Sequence, residues 1–172
     1  MSSTGTTYII FDGDNDSWAY GRMKGWKALP TVPFDFKDAH DIGVMTNRAH
    51  DEAYVKGELR KRFSKAHQVI VLIGDKTKNL YRYVRWELDI AQQLDLPIIA
   101  VNLNNRRKQD DTLCPLIIRD EYIVHIPYRM KIINYALDNF PSEYYNRNKT
   151  ESTKGGRYYP KSVYDNLELY DD

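Results

Sequence analysis

Short apolar runs recur along the chain, and amphipathic stretches fill the intervals between them. Tyr8-Ile9-Ile10-Phe11 is the first run, and it ends in the acidic loop Asp12-Gly13-Asp14-Asn15-Asp16. From Ser17 to about Leu29 the period becomes helical, with Ala19, Met23 and Trp26 on one face. Asp14 or Asp16 is placed to cap that helix, and Pro30 stops it. Pro33 to Phe36 reads as a short edge strand, because proline lacks the donor that an interior strand needs. A second helix is predicted from Asp51 to Ala66, with Val55, Leu59, Phe63 and Ala66 on one side and charges opposite. Gln68 to Ile73 is continuously apolar and β-branched after its first residue, the mark of a strand buried on both faces. Leu80 to Leu94 is the strongest amphipathic helix of the chain. Pro97 to Val101 reads as another buried strand, Tyr122 to Ile126 as a weaker one, and Tyr128 to Phe140 as a closing helix carrying Met130, Ile133, Leu137 and Phe140 on one side.

Buried strands alternating with helices imply parallel pairing through right-handed crossovers. The expected fold is α/β, a three-layer open sheet of about five mainly parallel strands with helices on both faces. In such sheets ligands bind beyond the carboxyl ends of the strands, at the point where strand order reverses. The loops after Phe11, Phe36 and Ile73 are therefore the places to look for chemistry. Residues 1–140 form the expected domain. Residues 141–172 are polar and tyrosine-rich, include Lys154-Gly155-Gly156, and read as an extension that either docks on the domain or stays loose.

Composition narrows the function classes. A chain of 172 residues with 42% hydrophobic and 28% charged positions can bury one core. A formal net charge of +1 gives no global pull toward nucleic acid or a membrane surface, so neither is an expected partner. The single cysteine, Cys114, has no internal disulfide partner and points to a reducing, cytoplasmic setting. The N-terminus lacks the pattern of a signal peptide. His40, His50, His67 and His125 show no metal-ligand spacing, and neither a P-loop nor a Gly-x-Gly-x-x-Gly motif is present, so no metal and no bound cofactor are expected.

One residue breaks the hydrophobic pattern. On a helical wheel Leu80, Val84, Leu88, Ala91 and Leu94 form a stripe, and Glu87 falls inside it. A carboxylate there costs desolvation unless something compensates. Arg82, Arg85, Asp89, Gln92 and Gln93 occupy the far side, so solvent-facing positions were open to it. The structural alternative is a Glu87 that reaches a backbone amide or an arginine. Because this helix follows the strand ending at Ile73, its first turns are expected near the carboxyl ends of the strands.

Several ordered blocks resemble a known family. Val71-Leu72-Ile73-Gly74, then Tyr83-Val84-Arg85-Trp86-Glu87-Leu88, then Pro97-Ile98-Ile99-Ala100-Val101 resemble the TIR-like domains of Thoeris antiphage systems, which have a flavodoxin-like fold. Ile9-Ile10-Phe11-Asp12, with Tyr20 and Trp26 on the next helix, is similar to that family's first strand and helix. The likeness covers roughly residues 7–140. Within it, Glu87 matches the glutamate that TIR enzymes use against NAD, while Tyr83 and Val84 stand where many TIR domains carry Trp-Cys.

The resemblance implies an NAD glycohydrolase or ADP-ribosyl cyclase, with NAD as substrate and Glu87 as its catalytic carboxylate. Phe11, Asp12, Tyr20, Asp35 and Tyr83 are the implied substrate-binding residues. Phe11 and Tyr20 are candidates to stack on a flat base, core packing being the alternative for Tyr20. The nicotinamide–ribose bond breaks through an oxocarbenium-like state, and one carboxylate beside the ribose can stabilise that charge. The implied product is ADP-ribose, a cyclic isomer or a conjugate, read by a nucleotide-sensing effector. Self-assembly into a homo-oligomer is also implied.

Two further readings stand beside it. A TIR-type domain can act as a non-catalytic scaffold. Asp12 and Asp14 after the first strand also look like the first motif of magnesium-dependent phosphohydrolases of the haloacid-dehalogenase type.

Overall fold

The computed structural model describes residues 6–29, 37–38, 52–80 and 83–170. Alternating pattern and burial agree from the first strand onward. Strand β1 (Thr6–Ile10) leads into helix α1 (Ser17–Ala28), a two-residue strand β2 (Lys37–Asp38) and helix α2 (Glu52–Phe63). Strand β3 (Gln68–Ile73) is followed by a 3-10 turn at Thr77–Asn79, helix α3 (Tyr83–Gln93) and strand β4 (Ile98–Asn102). A second 3-10 turn, Leu116–Ile118, precedes strand β5 (Val124–Pro127), helix α4 (Met130–Tyr145) and helix α5 (Lys161–Asn166).

The strands form one sheet in the order β2-β1-β3-β4-β5, and every pairing is parallel. The chain moves from β1 outward to β2, then crosses back to β3 on the other side of β1. The order therefore reverses between β1 and β3. Right-handed crossovers then place α1 on one face and α2 with α3 on the other. Side chains of β1 follow suit, with Tyr8 and Ile10 packed under α2 and α3 and Ile9 under α1 and α4. All six residues of β3 are buried, because helices cover both of its faces. Each of the five apolar side chains, Val69 to Ile73, contributes on the order of 2 kcal/mol by leaving water.

The structure departs from the sequence pattern at several boundaries. The edge strand predicted at Pro33–Phe36 lies outside the described residues, and the pairing seen there is Lys37 and Asp38 against Thr6 and Thr7. Asp16 stands at the N-cap position of α1, but its side chain does not cap the helix. It turns across the sheet toward β3, where the Thr77 hydroxyl donates to it at 3.4 Å. The closing helix predicted to end at Phe140 runs on through Pro141 to Tyr145. Its last turn is held by aromatic anchors, with the Tyr144 hydroxyl donating to Asp95 Oδ1 at 2.6 Å and the Tyr144 ring against Tyr122.

The tyrosine-rich C-terminal segment packs on this domain. Arg157 extends the sheet edge, its N–H donating to Ile123 at 2.8 Å and its carbonyl accepting from His125 at 2.9 Å. The turn before it needs glycine. Gly155 and Gly156 both have positive φ, and a Cβ on Gly156 would strike the His125 ring. Farther on, Tyr164 of α5 is buried in the same core as α1 and α4. Nine of the fourteen tyrosines lie from Tyr122 onward, and this packing is where most of them are used.

Candidate functional site

Glu87 sits one turn into α3, on the stripe that faces the sheet, and is 6% exposed. Its neighbours in sequence on that face, Val84, Leu88 and Ala91, are all buried. The carboxyl group meets two polar partners in an otherwise apolar layer. The phenol of Tyr8, from the middle of β1, donates a hydrogen bond to it, and the Arg62 guanidinium near the end of α2 adds a positive charge. Arg62 is in turn hydrogen-bonded to Tyr8. The ring of Tyr8 packs on Phe63 with centroids 4.1 Å apart, which fixes where its hydroxyl points.

Burial dominates the protonation of this trio. It pushes the Glu87 carboxyl up from 4.5 to about 8, against the Tyr8 hydrogen bond and the Arg62 charge, which both pull it down. The Tyr8 phenol is raised first by its own burial and then by the Glu87 charge. At neutral pH the group therefore holds its proton for most of the time, and a nearby cation would release it. A ring of polar contacts fastens α2 to α3 around this point: Lys56 Nζ lies 3.0 Å from Asp89 Oδ2, and Arg60 donates to Gln93 Oε1 at 2.7 Å.

A second polar site occupies the position where strand order reverses. A cavity of about 390 Å³ opens there, lined by Asn15 and Asp16 after β1, Gly74, Asp75 and Lys76 after β3, and Asn104 after β4. Gly74 stands at its mouth, where a Cβ would push the Asp16 carboxylate out of its place. Asp16 is pushed up first by burial and then by the charge of Asp12, with a smaller contribution from Asp75. Asp12 itself is buried and spends its carboxylate on its own loop. It accepts from the backbone of Asp14 at 3.0 Å and from Asn15 Nδ2 at 2.7 Å. Among the described residues, no group of three or more His, Cys, Asp or Glu side chains could hold a metal ion.

The structure divides the residues singled out in the sequence. Tyr83 is exposed on the first turn of α3, with its ring 5.7 Å from that of Trp86 and one turn before Glu87. Phe11 and Tyr20 lie on the opposite face of the sheet, stacked on each other at 4.6 Å, and Tyr20 is buried in the α1–α4 core. That pair does not join Glu87, because Phe11 and Tyr8 are three apart in an extended strand and point to opposite faces. Asp12 and Asp16 lie beside the reversal-point cavity or its loop, and Glu87 does not line that cavity. Asp35 lies outside the described residues.

Sequence reasoning missed Tyr8 and Arg62. A signal for Arg62 was present, since it falls on the Val55, Leu59, Phe63 side of α2, seven residues after Val55 and three after Leu59. It is the counterpart in α2 of the Glu87 intrusion in α3. Tyr8 carried a weaker signal, as the one polar-tipped ring in the run Tyr8-Ile9-Ile10.

Two comparisons bear on identity. No curated protein matches the sequence. Residues 8–108 match the family described as "Thoeris protein ThsB, TIR-like domain". That span is more than half of the chain and runs from within β1 to beyond β4, with Tyr8, Arg62 and Glu87 inside it. The chain belongs to the TIR-like domain family of the Thoeris protein ThsB.

Proposed function

We propose that the chain cleaves the nicotinamide–ribose bond of NAD, with Glu87 as the carboxylate that stabilises the oxocarbenium-like ribose. The observation that carries this reading is a buried carboxyl group on the sheet-facing stripe of α3, in a chain of the TIR-like family. Its raised protonation state suits the chemistry. The nicotinamide ring of NAD is cationic, and a cation brought close favours the ionised carboxyl. Substrate binding then draws the proton off and creates the charge where the reaction needs it. In a water-poor site that charge acts on the developing positive ribose far more strongly than it would in solvent. Nicotinamide leaves without an acid partner, so a single carboxyl suffices. The product is a cyclic or conjugated ADP-ribose that a nucleotide-sensing effector reads in the cytoplasm during antiphage defence.

A non-catalytic scaffold is the second reading. What favours it is the enclosure of Glu87 by Tyr8, Arg62 and the apolar faces of α2 and α3. One experiment separates the two. Wild-type and Glu87→Gln chains are incubated with NAD over a range of protein concentrations, and products are resolved by mass spectrometry. Loss of one preorganised electrostatic group should lower turnover by about a hundredfold or more. The wild-type kcat/KM should rise with pH toward about 8, as the carboxyl of the free enzyme ionises. Equal NAD loss in both chains, or none in either at any concentration and in phage-challenged cells, leaves the scaffold.

A further inference from the structure

The loop after β4 and the C-terminal segment border an open cavity of about 770 Å³ that has no part in the Glu87 site. Its chemistry is unusual for a surface of this nearly neutral protein. Arg106, Arg107, Lys108 and Lys161 bring four cations, four tyrosines stand among them, and among the described residues no carboxylate lines the space. The cationic side is held rigidly. Buried Asn102, the last residue of β4, donates through its side-chain amide to the carbonyls of Arg106 and Lys108, each at 3.0 Å. Arg107 lies with its guanidinium 4.0 Å from the centroid of Tyr164 and donates to the Leu169 carbonyl at 2.9 Å, which ties the loop to the C-terminal segment.

Two of the tyrosines and three of the cations face solvent, and of these Lys161 is already paired with Asp165 at 2.9 Å. Tyr158 and Tyr170 are 53% and 67% exposed at the rim. Lys108 Nζ lies 4.5 Å from the centroid of the Tyr158 ring, and Arg106 keeps only a loose contact with Asp110 at 3.7 Å. Exposed tyrosine rings offer flat faces to a base, and lysine and arginine beside them offer donors to phosphate. The volume is that of a small-ligand site and falls well short of an extended groove.

We propose that this cavity is a binding site for a phosphorylated mononucleotide, with the base on Tyr158 and Tyr170 and the phosphates on Arg106 and Lys108. The two recognition elements come from segments far apart in sequence, and the pinning by Asn102 and Arg107 brings them together before ligand arrives. Such preorganisation raises affinity by lowering the ordering cost of binding. Arg107 and Tyr164 form the floor and are positioning residues.

Titration calorimetry of the full chain with ADP, adenosine and inorganic pyrophosphate tests the assignment. Binding is the readout, so the result is independent of NAD turnover. ADP should bind at least about tenfold tighter than either fragment, because both elements are engaged only by the whole nucleotide. Lys108→Glu and Tyr158→Ala alter exposed side chains, and each should weaken ADP by about tenfold or more while leaving the thermal melting curve in place. Equal affinity for ADP and pyrophosphate would reduce the site to an anion patch and overturn the proposal. So would ADP binding that ignores both substitutions, an absence of binding at about 1 mM ADP, or a single-stranded oligonucleotide that outcompetes ADP through these same residues.

Discussion

Replacing Glu87 by glutamine should make the fold more stable, and increasingly so as pH rises. The carboxyl titrates at 4.5 when unperturbed and is pushed up to about 8 in the fold. Between those values the folded chain keeps a proton that the unfolded chain has released. The stability tied to the protonated form is therefore complete below pH 4.5 and drains away as pH climbs toward about 8. A displacement of that size corresponds to roughly 5 kcal/mol once the window has been crossed, taken as an upper figure for a group in a polarisable pocket. Glutamine has no proton to lose, and its amide oxygen still accepts from the Tyr8 hydroxyl. The difference in unfolding free energy between Glu87→Gln and wild type should thus shift in favour of glutamine by about 3 kcal/mol from pH 5 to pH 8. For a domain of this length that is roughly 5–10 °C in Tm.

Urea unfolding of both chains at a series of pH values measures this directly, and the m-value checks that the unfolded reference is unchanged. The opposing account makes Glu87 an ionised partner of Arg62 in a structural pair. Breaking such a pair leaves an unmatched buried guanidinium and is strongly destabilising. Under that account glutamine lowers stability at pH 8 and the wild-type curve is flat from pH 5 upward, within about half a kcal/mol. That pattern would refute the reasoning, and would also remove the proton that the proposed catalysis releases on NAD binding.

Two other residues yield predictions of opposite character. Gly74→Ala should cost on the order of 1 kcal/mol by chemical unfolding, because its Cβ displaces the Asp16 carboxylate from its place beside Thr77. His125 is fully buried, and burial brings its imidazole down from 6.5 to about 4, with the charges of Asp111 and Asp120 opposing that fall. Its contribution to stability is present above pH 6.5 and is lost as pH drops toward about 4, at most roughly 3 kcal/mol. His125→Leu should flatten the acid side of the stability profile. A profile that falls equally steeply without the imidazole would place the acid sensitivity elsewhere.

Element identity was readable wherever period and flanking residues agreed. β3 and β4 are continuous apolar runs on either side of α3 with its clear stripe, and their bounds move by at most one residue between expectation and structure. The helix end at Tyr145 was not readable, because proline at 141 is a stop signal in isolation. What overrides it is tertiary, the anchoring of Tyr144 on Asp95 and Tyr122, forty-nine and twenty-two residues away. The Asp16 side chain is a similar case. An aspartate before a helix reads as a cap, but Thr77 and the bare backbone at Gly74 offer it another place once β1 and β3 pair. Glu87 stood out because it breaks a stripe within its own helix. Its partners did not, since nothing in the chain before folding says that the stripe of α2 faces that of α3 across Tyr8.

Strand order then decides which chemistries share a space. Because β1 lies between β2 and β3, α2 and α3 cover the face of Tyr8, while α1, α4 and α5 cover the face of Ile9. Glu87 belongs to the first layer. Tyr164, which floors the cationic, tyrosine-lined cavity, is buried in the second. Charge changes at Lys108 are on the solvent side of that second layer, and screening over a Debye length of about 8 Å leaves them little influence on a carboxyl buried beneath α3. The packing argues the same way, since Asn102 is the point where β4 fixes the Arg106–Lys108 loop and its neighbours in the sheet are themselves buried and rigid. The Glu87 site and the nucleotide cavity are in this sense two separate devices on one sheet. Lys108→Glu should leave the pH dependence of stability that Glu87 imposes where it is, because the sheet that joins the two layers also insulates one from the other.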